Sequence, residues 1–410
     1  MIFGNYITLW RQKDNMNINV KTYSDMKRDF YQLVAVFATC ACTLFCSSCA
    51  SEQTINTSSK DIRYAGCKIE LISFDLPQTS FCCFSGMMGD SIYCFDNVLS
   101  NLYSISVDGT VGKRRMGYGH GAGELPIKQS ISVNYNQNDN SFLVMGSSYD
   151  AYLYNMNNQV KKIDLLPDNH EESYRSAKSY TFWPETIIRS DGENFYFDVK
   201  GNSEDVSHVF QENYYDEASI LMKVNMKTGQ MEPIGRYSDF YKENKNKFRH
   251  LSRVYFDLNE NNDFYVAFQM DSLIYHYDKN NNLIECFGFP GEEMDTDYTE
   301  SGCGAESVVS ASKKDKKRVG CYYWIKCVGN LVFRCYRKSE NVKYDGMQVY
   351  EGNTLIADLK VPKNFRVIGK IGDYYVTEVI CSEKKQKTGF YRFKMLSKEE
   401  AEKMKEEQKK

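Results

Sequence analysis

The chain has 410 residues, of which 42% are hydrophobic, 14% aromatic and 26% charged, and its formal net charge is −3. This composition is typical of a folded globular protein and excludes a disordered or fibrous chain. The balanced charge provides no basic surface for a phosphate backbone, so we expect no nucleic-acid partner. The 31 Tyr and 24 Phe, set against only 7 Pro, favour strands that are joined by turns.

An export-type pattern opens the chain. Two basic residues, Lys27 and Arg28, precede a mostly apolar run over 30–45, which is shorter than the about 20 residues of a membrane span. The Cys-Ser-Ser-Cys segment that follows resembles the lipobox of bacterial lipoproteins, which implies that Cys49 is lipidated. Cys46 stands where that motif usually has an aliphatic residue. An uncleaved anchor helix and a redox cysteine pair are the alternatives.

The patterns divide the chain into five segments. We expect translation to start at Met26, so residues 1–25 are interpreted as a gene-model extension. The other segments are a lipoprotein signal peptide over 26–48, a polar tether over 49–66, a folded domain over 67–396 and a charged tail over 397–410. Within the tail, Ser397 and Glu400 have the spacing of a capping box, which predicts a helix start.

A two-part phrase recurs six times in the folded domain. Each unit is a short aromatic strand followed by a second strand that ends in an Asn, Asp or Gly turn. The units begin at 92–95, 142–145, 195–197, 264–268, 322–327 and 374–377. Starts separated by about 40 to 70 residues are typical of propeller blades. The sequence therefore predicts an all-β fold, a six-bladed β-propeller of four-stranded blades, closed by an N-terminal strand over 68–76. A β-sandwich is the alternative.

A glycine-rich string over 117–125 follows the first unit. With the lipobox and the six units, it resembles the TolB-like, NHL-related six-bladed β-propeller lipoproteins of Bacteroidetes. Gly119, Gly121, Gly123 and Glu124 match that family's string, and Ala122 stands where proline is usual. The resemblance implies the fold and an envelope location, and it implies no activity.

The same string contains two weak candidates for ligand binding, His120 and Glu124, which we expect to face the central channel. A phosphate-binding loop is disfavoured because Pro126 and a strand-like stretch follow, where a dinucleotide site needs a helix. Two Asx-rich strings, 257–263 and 278–282, lack the Gly and Glu of a calcium loop and are interpreted as solvated turns. We predict no metal and no cofactor.

Ten cysteines remain after the signal segment and Cys49 are set aside. Several lie inside apolar strand patterns, where a free cysteine packs as a small hydrophobic residue. An exported protein also meets oxidising conditions. We therefore expect mostly buried thiols, with one or two disulfides as an open alternative.

Three long polar segments, 166–194, 202–218 and 291–320, are the candidates for recognition. Their aromatic residues include Trp183, Tyr214 and Tyr215, types that are enriched at contact surfaces. The sequence thus predicts a monomeric envelope protein, lipid-anchored at the outer membrane, that binds an envelope protein, a peptide or a glycan without catalysis.

The alternative is a propeller enzyme, such as a lactonase, lyase or hydrolase, with a metal or acidic site in the central channel. Three or more Asp, Glu, His or Asn side chains that converge within metal-ligand range in the channel would favour this alternative.

Overall fold

The computed structural model describes residues 56–407, apart from 149, 166–179, 184, 202–212, 245–246, 248 and 340. The predicted signal segment and Cys49 lie outside the described residues. Within the described ranges, none of the helices has both the length and the apolar character that a membrane crossing requires.

The first half of the described chain forms an N-terminal segment and three sheets, numbered here as blades. The N-terminal strands are β1 (Ser59–Lys60) and β2 (Tyr64–Phe74). Blade 1 contains β3 (Cys83–Met88), β4 (Ser91–Asp96) and β5 (Leu102–Ile105). Blade 2 contains β6 (Ser130–Asn136), β7 (Ser141–Gly146), β8 (Asp150–Asn155) and β9 (Val160–Asp164). Blade 3 contains β10 (Tyr180–Phe182), β11 (Ile188–Ser190), β12 (Asn194–Gly201), β13 (Leu221–Asn225) and β14 (Met231–Ile234).

The second half forms three more blades. Blade 4 contains β15 (Val254–Leu258), β16 (Phe264–Phe268), β17 (Ile274–Tyr277) and β18 (Leu283–Phe287). Blade 5 contains β19 (Cys321–Val328), β20 (Leu331–Arg337), β21 (Asp345–Glu351) and β22 (Thr354–Val361). Blade 6 contains β23 (Val367–Ile371), β24 (Tyr374–Thr377), β25 (Ile380–Ser382) and β26 (Lys387–Ser397). The described helices are α1 (Tyr214–Glu217), α2 (Asp239–Glu243), α3 (Ala305–Arg318) and α4 (Lys398–Glu407).

The blades are arranged in a ring. The innermost strands are β3, β6, β11, β15, β19 and β23; each contacts the next, and β23 contacts β3. Each blade packs against a neighbouring blade on each of its two faces. Side chains alternate between these faces along a strand, so the side chains on either face are buried. Strand β7, for example, is buried at all six positions. Blade 1 has no regular fourth strand in the described chain; in its place, Val111 and Arg115 form isolated bridges to β5. The predicted six-bladed propeller is confirmed.

The N-terminal segment pairs with the outer strands of the last two blades. Strand β2 runs antiparallel to β26, with Ile72 opposite Phe390. The predicted strand over 68–76 therefore joins the sheet that contains Phe390. Strand β1 adds in parallel to β22 of blade 5, and Asn56 bridges to Cys286 in blade 4. Part of the predicted tether, 56–66, thus covers sheet edges that would otherwise expose unpaired backbone groups.

The capping box predicted in the tail is present. The Glu400 carboxylate accepts the Ser397 backbone N–H at 2.8 Å, and the Ser397 hydroxyl accepts the Glu400 N–H at 3.2 Å. Helix α4 begins at this cap and packs on β2 and β26, where Ala401 is buried. The tail is therefore a docked helix with one exposed side.

None of the described cysteines is in a disulfide bond. Cys94, Cys286, Cys321 and Cys335 are buried, and burial raises the pKa of the Cys321 thiol. The expectation of mostly buried thiols therefore holds for four of the ten described cysteines, whereas four are partly exposed and two are exposed.

Candidate binding site at the channel mouth

A cavity of about 360 Å³ opens at one end of the central channel. It lies where the inner strands end and short turns connect them to the second strands. Every inner strand contributes a lining residue: Met87, Asn136, Arg189, Asp257, Lys326 and Ile368. Such a site depends on the whole ring because it forms only when six blades place their inner strands side by side.

A charged cluster forms one wall of this cavity. The Asp257 carboxylate is fully buried and pairs with the Arg189 guanidinium. The Lys326 ammonium donates to both carboxylate oxygens, at 2.9 and 3.2 Å. The backbone N–H of Cys327 adds a fourth hydrogen bond at 2.7 Å. The three charges come from β15, β11 and β19, so they are brought together only across blades.

The cluster keeps Asp257 ionised. Burial by itself would raise the pKa of this carboxyl, but Lys326 and Arg189 outweigh burial and hold the pKa below its ordinary value. Two cations therefore share one carboxylate, which leaves a net positive charge within this cluster, while the exposed Glu260 carboxylate also lines the mouth. Arg189 gives its Nη1 to the Ile188 carbonyl at 2.8 Å, and among the described contacts its Nη2 has no acceptor.

Amide side chains surround the rest of the mouth. Asn134, Asn136, Asn138, Asn259 and Asn262 all line the cavity. Asn136 is 5% exposed, and within the described part of the chain its Nδ2 has no hydrogen-bond partner. A buried donor without a partner costs about 1–3 kcal/mol. An acceptor held in the cavity would remove that cost.

Trp324 lies deeper in the channel, between two guanidinium groups. Its ring centroid is 5.8 Å from the Arg189 carbon and 5.4 Å from that of Arg366, and its indole N–H donates to the Val367 carbonyl at 2.7 Å. Arg366 in turn bonds Glu378 and Glu185, each at 3.2 Å. The tryptophan thus separates the cavity from a second ionic cluster.

The opposite end of the inner strands has its own ion pair, between Arg253 and Asp198 at 3.4 Å. Burial raises the pKa of Asp198 to about 6, although Arg253 opposes the shift. Trp183, a predicted contact residue, lies at this end. Its indole N–H donates to the Val199 carbonyl at 3.2 Å, and Lys200 stands 5.2 Å from its ring. Trp183 is half-buried and does not line the cavity.

His120 and Glu124 lie in the loop between blades 1 and 2. His120 is exposed, and the Glu124 carboxylate accepts the Gly121 N–H at 2.9 Å. Neither side chain lines the cavity. The acid in this string therefore stabilises its own loop.

Tyr214 and Tyr215 are not surface contact residues, and the prediction that they lie on an open loop is wrong. Both are fully buried in helix α1, which packs near α2. Tyr215 contacts the rings of Tyr237 and Tyr241, with centroids at 4.8 and 5.1 Å. The polar residues around the pair led to the loop prediction. In the structure the two tyrosines belong to an aromatic cluster, whose buried apolar ring area stabilises the fold.

Asp257 also differs from its predicted environment. The sequence places it at the start of an Asx-rich turn that faces solvent, but the structure places it at a buried position of β15. Only the later residues of that string, from Asn259, form the turn. The alternation of β15 contained the signal, because Asp257 is two residues after Tyr255 on the same face of the strand.

A Ser–His–Asp arrangement occurs away from the channel. His250 lies between Ser301 Oγ at 3.2 Å and Asp315 at 2.9 Å. Ser301 is fully buried, and its hydroxyl donates to the Lys247 carbonyl at 3.1 Å. Its only proton is thereby used, so the arrangement joins α3 to the preceding loop and presents no nucleophile.

No group of three His, Cys, Asp or Glu side chains is placed to hold a metal ion in the ranges that the structure describes. The carboxylate of Asp257 is surrounded by cations and an N–H donor, so its lone pairs are already used. Arg189 and Lys326 are therefore the groups of this wall that suit an anion, and Asp257 has no lone pair left for a metal ion.

Comparison with known proteins adds the fold and little else. No family model and no curated protein matches the chain. A member of the DUF4221 family from Bacteroides vulgatus ATCC 8482 superposes with a TM-score of 0.59 at 13% identity, covering 80% of this chain and 99% of that one. A protein of Bacteroides fragilis NCTC 9343 that is described as a candidate exported protein gives a TM-score of 0.50 at 12% identity, covering 83% and 98%. These likenesses are to β-propellers of Bacteroides; the TolB-like and NHL-related resemblance is not found among them.

Proposed function

We propose that this protein is an exported, envelope-anchored propeller that binds an acidic saccharide at the channel mouth without catalysis. The observation that carries the proposal is the Arg189–Asp257–Lys326 cluster, where two cations share one carboxylate beside an amide-lined cavity. Charge-assisted hydrogen bonds to a carboxylate are about twice as strong as neutral ones. A ligand carboxylate would therefore supply the second negative charge.

The remaining lining suits hydroxyl groups. An amide side chain offers both a donor and an acceptor, and asparagines occupy two walls of the cavity. The unpartnered Nδ2 of Asn136 would donate to a sugar oxygen. The volume of about 360 Å³ lies at the lower end of the range for small-ligand sites, about 300–1,000 Å³.

Of the two carboxylates that line this cavity, Asp257 is buried and Glu260 is exposed, and Asp257 is not a free general base. Asp257 accepts hydrogen bonds from Arg189, Lys326 and Cys327, and its lowered pKa makes it a weak proton acceptor. Binding is therefore favoured over a lyase or hydrolase reaction that would use Asp257 as its base.

Titration calorimetry with galacturonate oligosaccharides and with matched galactose oligosaccharides tests the proposal. We expect heat of binding with the acidic series alone, and an affinity that falls as salt is added, because salt screens the ionic contact. Lys326→Gln should weaken binding at least about tenfold, the effect of about 1.4 kcal/mol. It leaves Asp257 paired with Arg189, so the fold is retained.

Lys200→Gln is the matched control. Lys200 is another half-buried lysine of the ring, but it stands at the opposite mouth beside Trp183. Its replacement should leave the affinity unchanged. Equal binding of the neutral series, an equal loss in both variants, or no binding of acidic saccharides would contradict the proposed site.

The envelope location rests on the pattern over 26–49. Lipidation of Cys49 would anchor the ring, since each buried CH₂ contributes about 0.8 kcal/mol and two or three acyl chains hold stably. Cys49→Ser should give an unprocessed precursor or a protein that leaves the membrane fraction. Cys46→Ser is the control and should still be labelled with palmitate. A Cys49→Ser protein that stays processed and membrane-bound would contradict the lipid anchor.

A further inference from the structure

Three cysteines from two blades meet at the seam between the first and last blades. The side chain of Cys83 on β3 lies next to the side chains of Cys381 on β25 and Cys94 on β4. Cys83 and Cys381 are partly exposed, whereas Cys94 is fully buried. Cys83 and Cys381 lie near opposite ends of the folded chain, so their contact depends on the ring.

The backbone on both sides of the seam fixes this contact. The Val379 N–H donates to the Ser85 hydroxyl at 2.8 Å. Cys381 is two residues after Val379, and Cys83 is two residues before Ser85. The bond therefore holds the two segments side by side, with each cysteine two residues from the contact. A second contact, between Thr79 Oγ1 and Cys83 Sγ at 3.7 Å, holds the thiol from the other side.

We propose that Cys83 and Cys381 form a disulfide that covalently joins blade 1 to blade 6. Each thiol loses one proton and one electron, the S–S bond forms, and a disulfide-bearing oxidant takes up both electrons and is reduced to two thiols. This inference concerns the seam of the ring and is independent of the ligand site.

Cys94 is the less suitable partner. On β3 and β4, Cys83 pairs with Asp96 and Cys94 pairs with Ser85, so the two cysteines are diagonal neighbours. Diagonal Cβ atoms on adjacent strands are about 7–8 Å apart or somewhat less, whereas a disulfide needs about 3.5–4.5 Å. An oxidant in solvent also cannot reach a fully buried sulfur. Cys82 is exposed and precedes β3, which begins at Cys83, so its replacement is included in the test below.

The neighbouring thiols also activate Cys83. Hydrogen bonds from Cys381 and then Cys94 lower the pKa of the Cys83 thiol, although burial opposes them. Burial and the adjoining Cys83 raise the pKa of Cys381. A more acidic thiol beside a less acidic one is the arrangement in which the thiolate attacks first and its partner resolves the mixed disulfide.

Peptide mapping of the full chain tests the proposal. The purified protein is oxidised with glutathione disulfide, free thiols are blocked, and trypsin is added without reductant. The expected product is a linked pair of the peptides 69–113 and 371–384. Because the first peptide also holds Cys82 and Cys94, the same map is made for Cys82→Ser and Cys94→Ser, which should keep the link, and for Cys83→Ser, which should lose it.

Thermal unfolding gives a second readout. A crosslink between distant parts of the chain restricts the unfolded state, so oxidation should raise the melting temperature of the wild type by about 5 °C or more. Cys303→Ser, which replaces an exposed thiol outside the seam, should retain this rise, and Cys381→Ser should abolish it. A wild-type map without the pair, or a link that persists in Cys83→Ser, would overturn the proposal.

Discussion

Asp257→Asn should lower the free energy of unfolding by about 3–5 kcal/mol at pH 7, as is usual when one partner of a buried ionic cluster is removed. The substitution keeps the shape of the side chain and deletes its charge. Arg189 and Lys326 would then face each other in the channel wall with no counter-charge between them. Denaturant unfolding of the two proteins measures the difference.

The pH dependence of this difference follows from the lowered pKa of Asp257. A carboxyl whose folded pKa lies below its unfolded value contributes stability that is present above the unfolded value, about 3.9, and is lost as the pH falls through the folded pKa. The difference in the free energy of unfolding between wild type and Asp257→Asn should therefore be constant from pH 7 to about pH 5. It should narrow below about pH 4, as the wild-type carboxyl takes up its proton.

Glu260→Gln is the matched control for this measurement. Glu260 lines the same mouth but is exposed, and surface substitutions usually change stability by no more than about 0.5 kcal/mol. A loss in Asp257→Asn no larger than that of the control would contradict the assigned role of the cluster. A gap that widens as the pH falls to 3 would contradict the sign of the pKa shift.

A chain that begins at residue 77 should fail to give a soluble propeller with cooperative unfolding. It lacks β2, whose pairing with β26 runs from Tyr64 to Phe74. Without that partner, β26 would become the outer edge strand of blade 6. Its unpaired N–H and C=O groups would then be a template for aggregation. Phe74, which packs on Phe390 with centroids 6.1 Å apart, would also be lost from the core.

Two longer chains serve as controls. A chain that begins at residue 56 keeps both N-terminal strands and should unfold like the full chain. A chain that begins at residue 63 lacks only the two-residue strand β1 and should show a small decrease in melting temperature. Soluble, cooperative unfolding of the chain from 77 within about 2 °C of the chain from 56 would show that β2 does not stabilise the ring.

The sequence predicted the architecture because a propeller repeats one local pattern. Aromatic and β-branched residues with period-two alternation and Asn, Asp or Gly turns encode each hairpin locally, and this phrase occurs six times. The capping box at Ser397 and Glu400 is also local, since its two hydrogen bonds join residues three positions apart. Both were predicted without knowledge of tertiary contacts.

The candidate site was not predictable in the same way. Arg189, Asp257 and Lys326 are far apart in sequence, each is one polar residue in an otherwise ordinary strand, and no motif spacing connects them. Tyr214 and Tyr215 were predicted to be exposed contact residues because their segment is polar, but the fold buries both completely.

The amino-acid sequence by itself thus determined the type of blade and the number of blades. The tertiary structure decided which polar side chains face the channel, which are buried and which thiols meet at the seam. The physical reason is that strand formation depends on neighbours along the chain, whereas burial and charge pairing depend on the position of each blade in the ring.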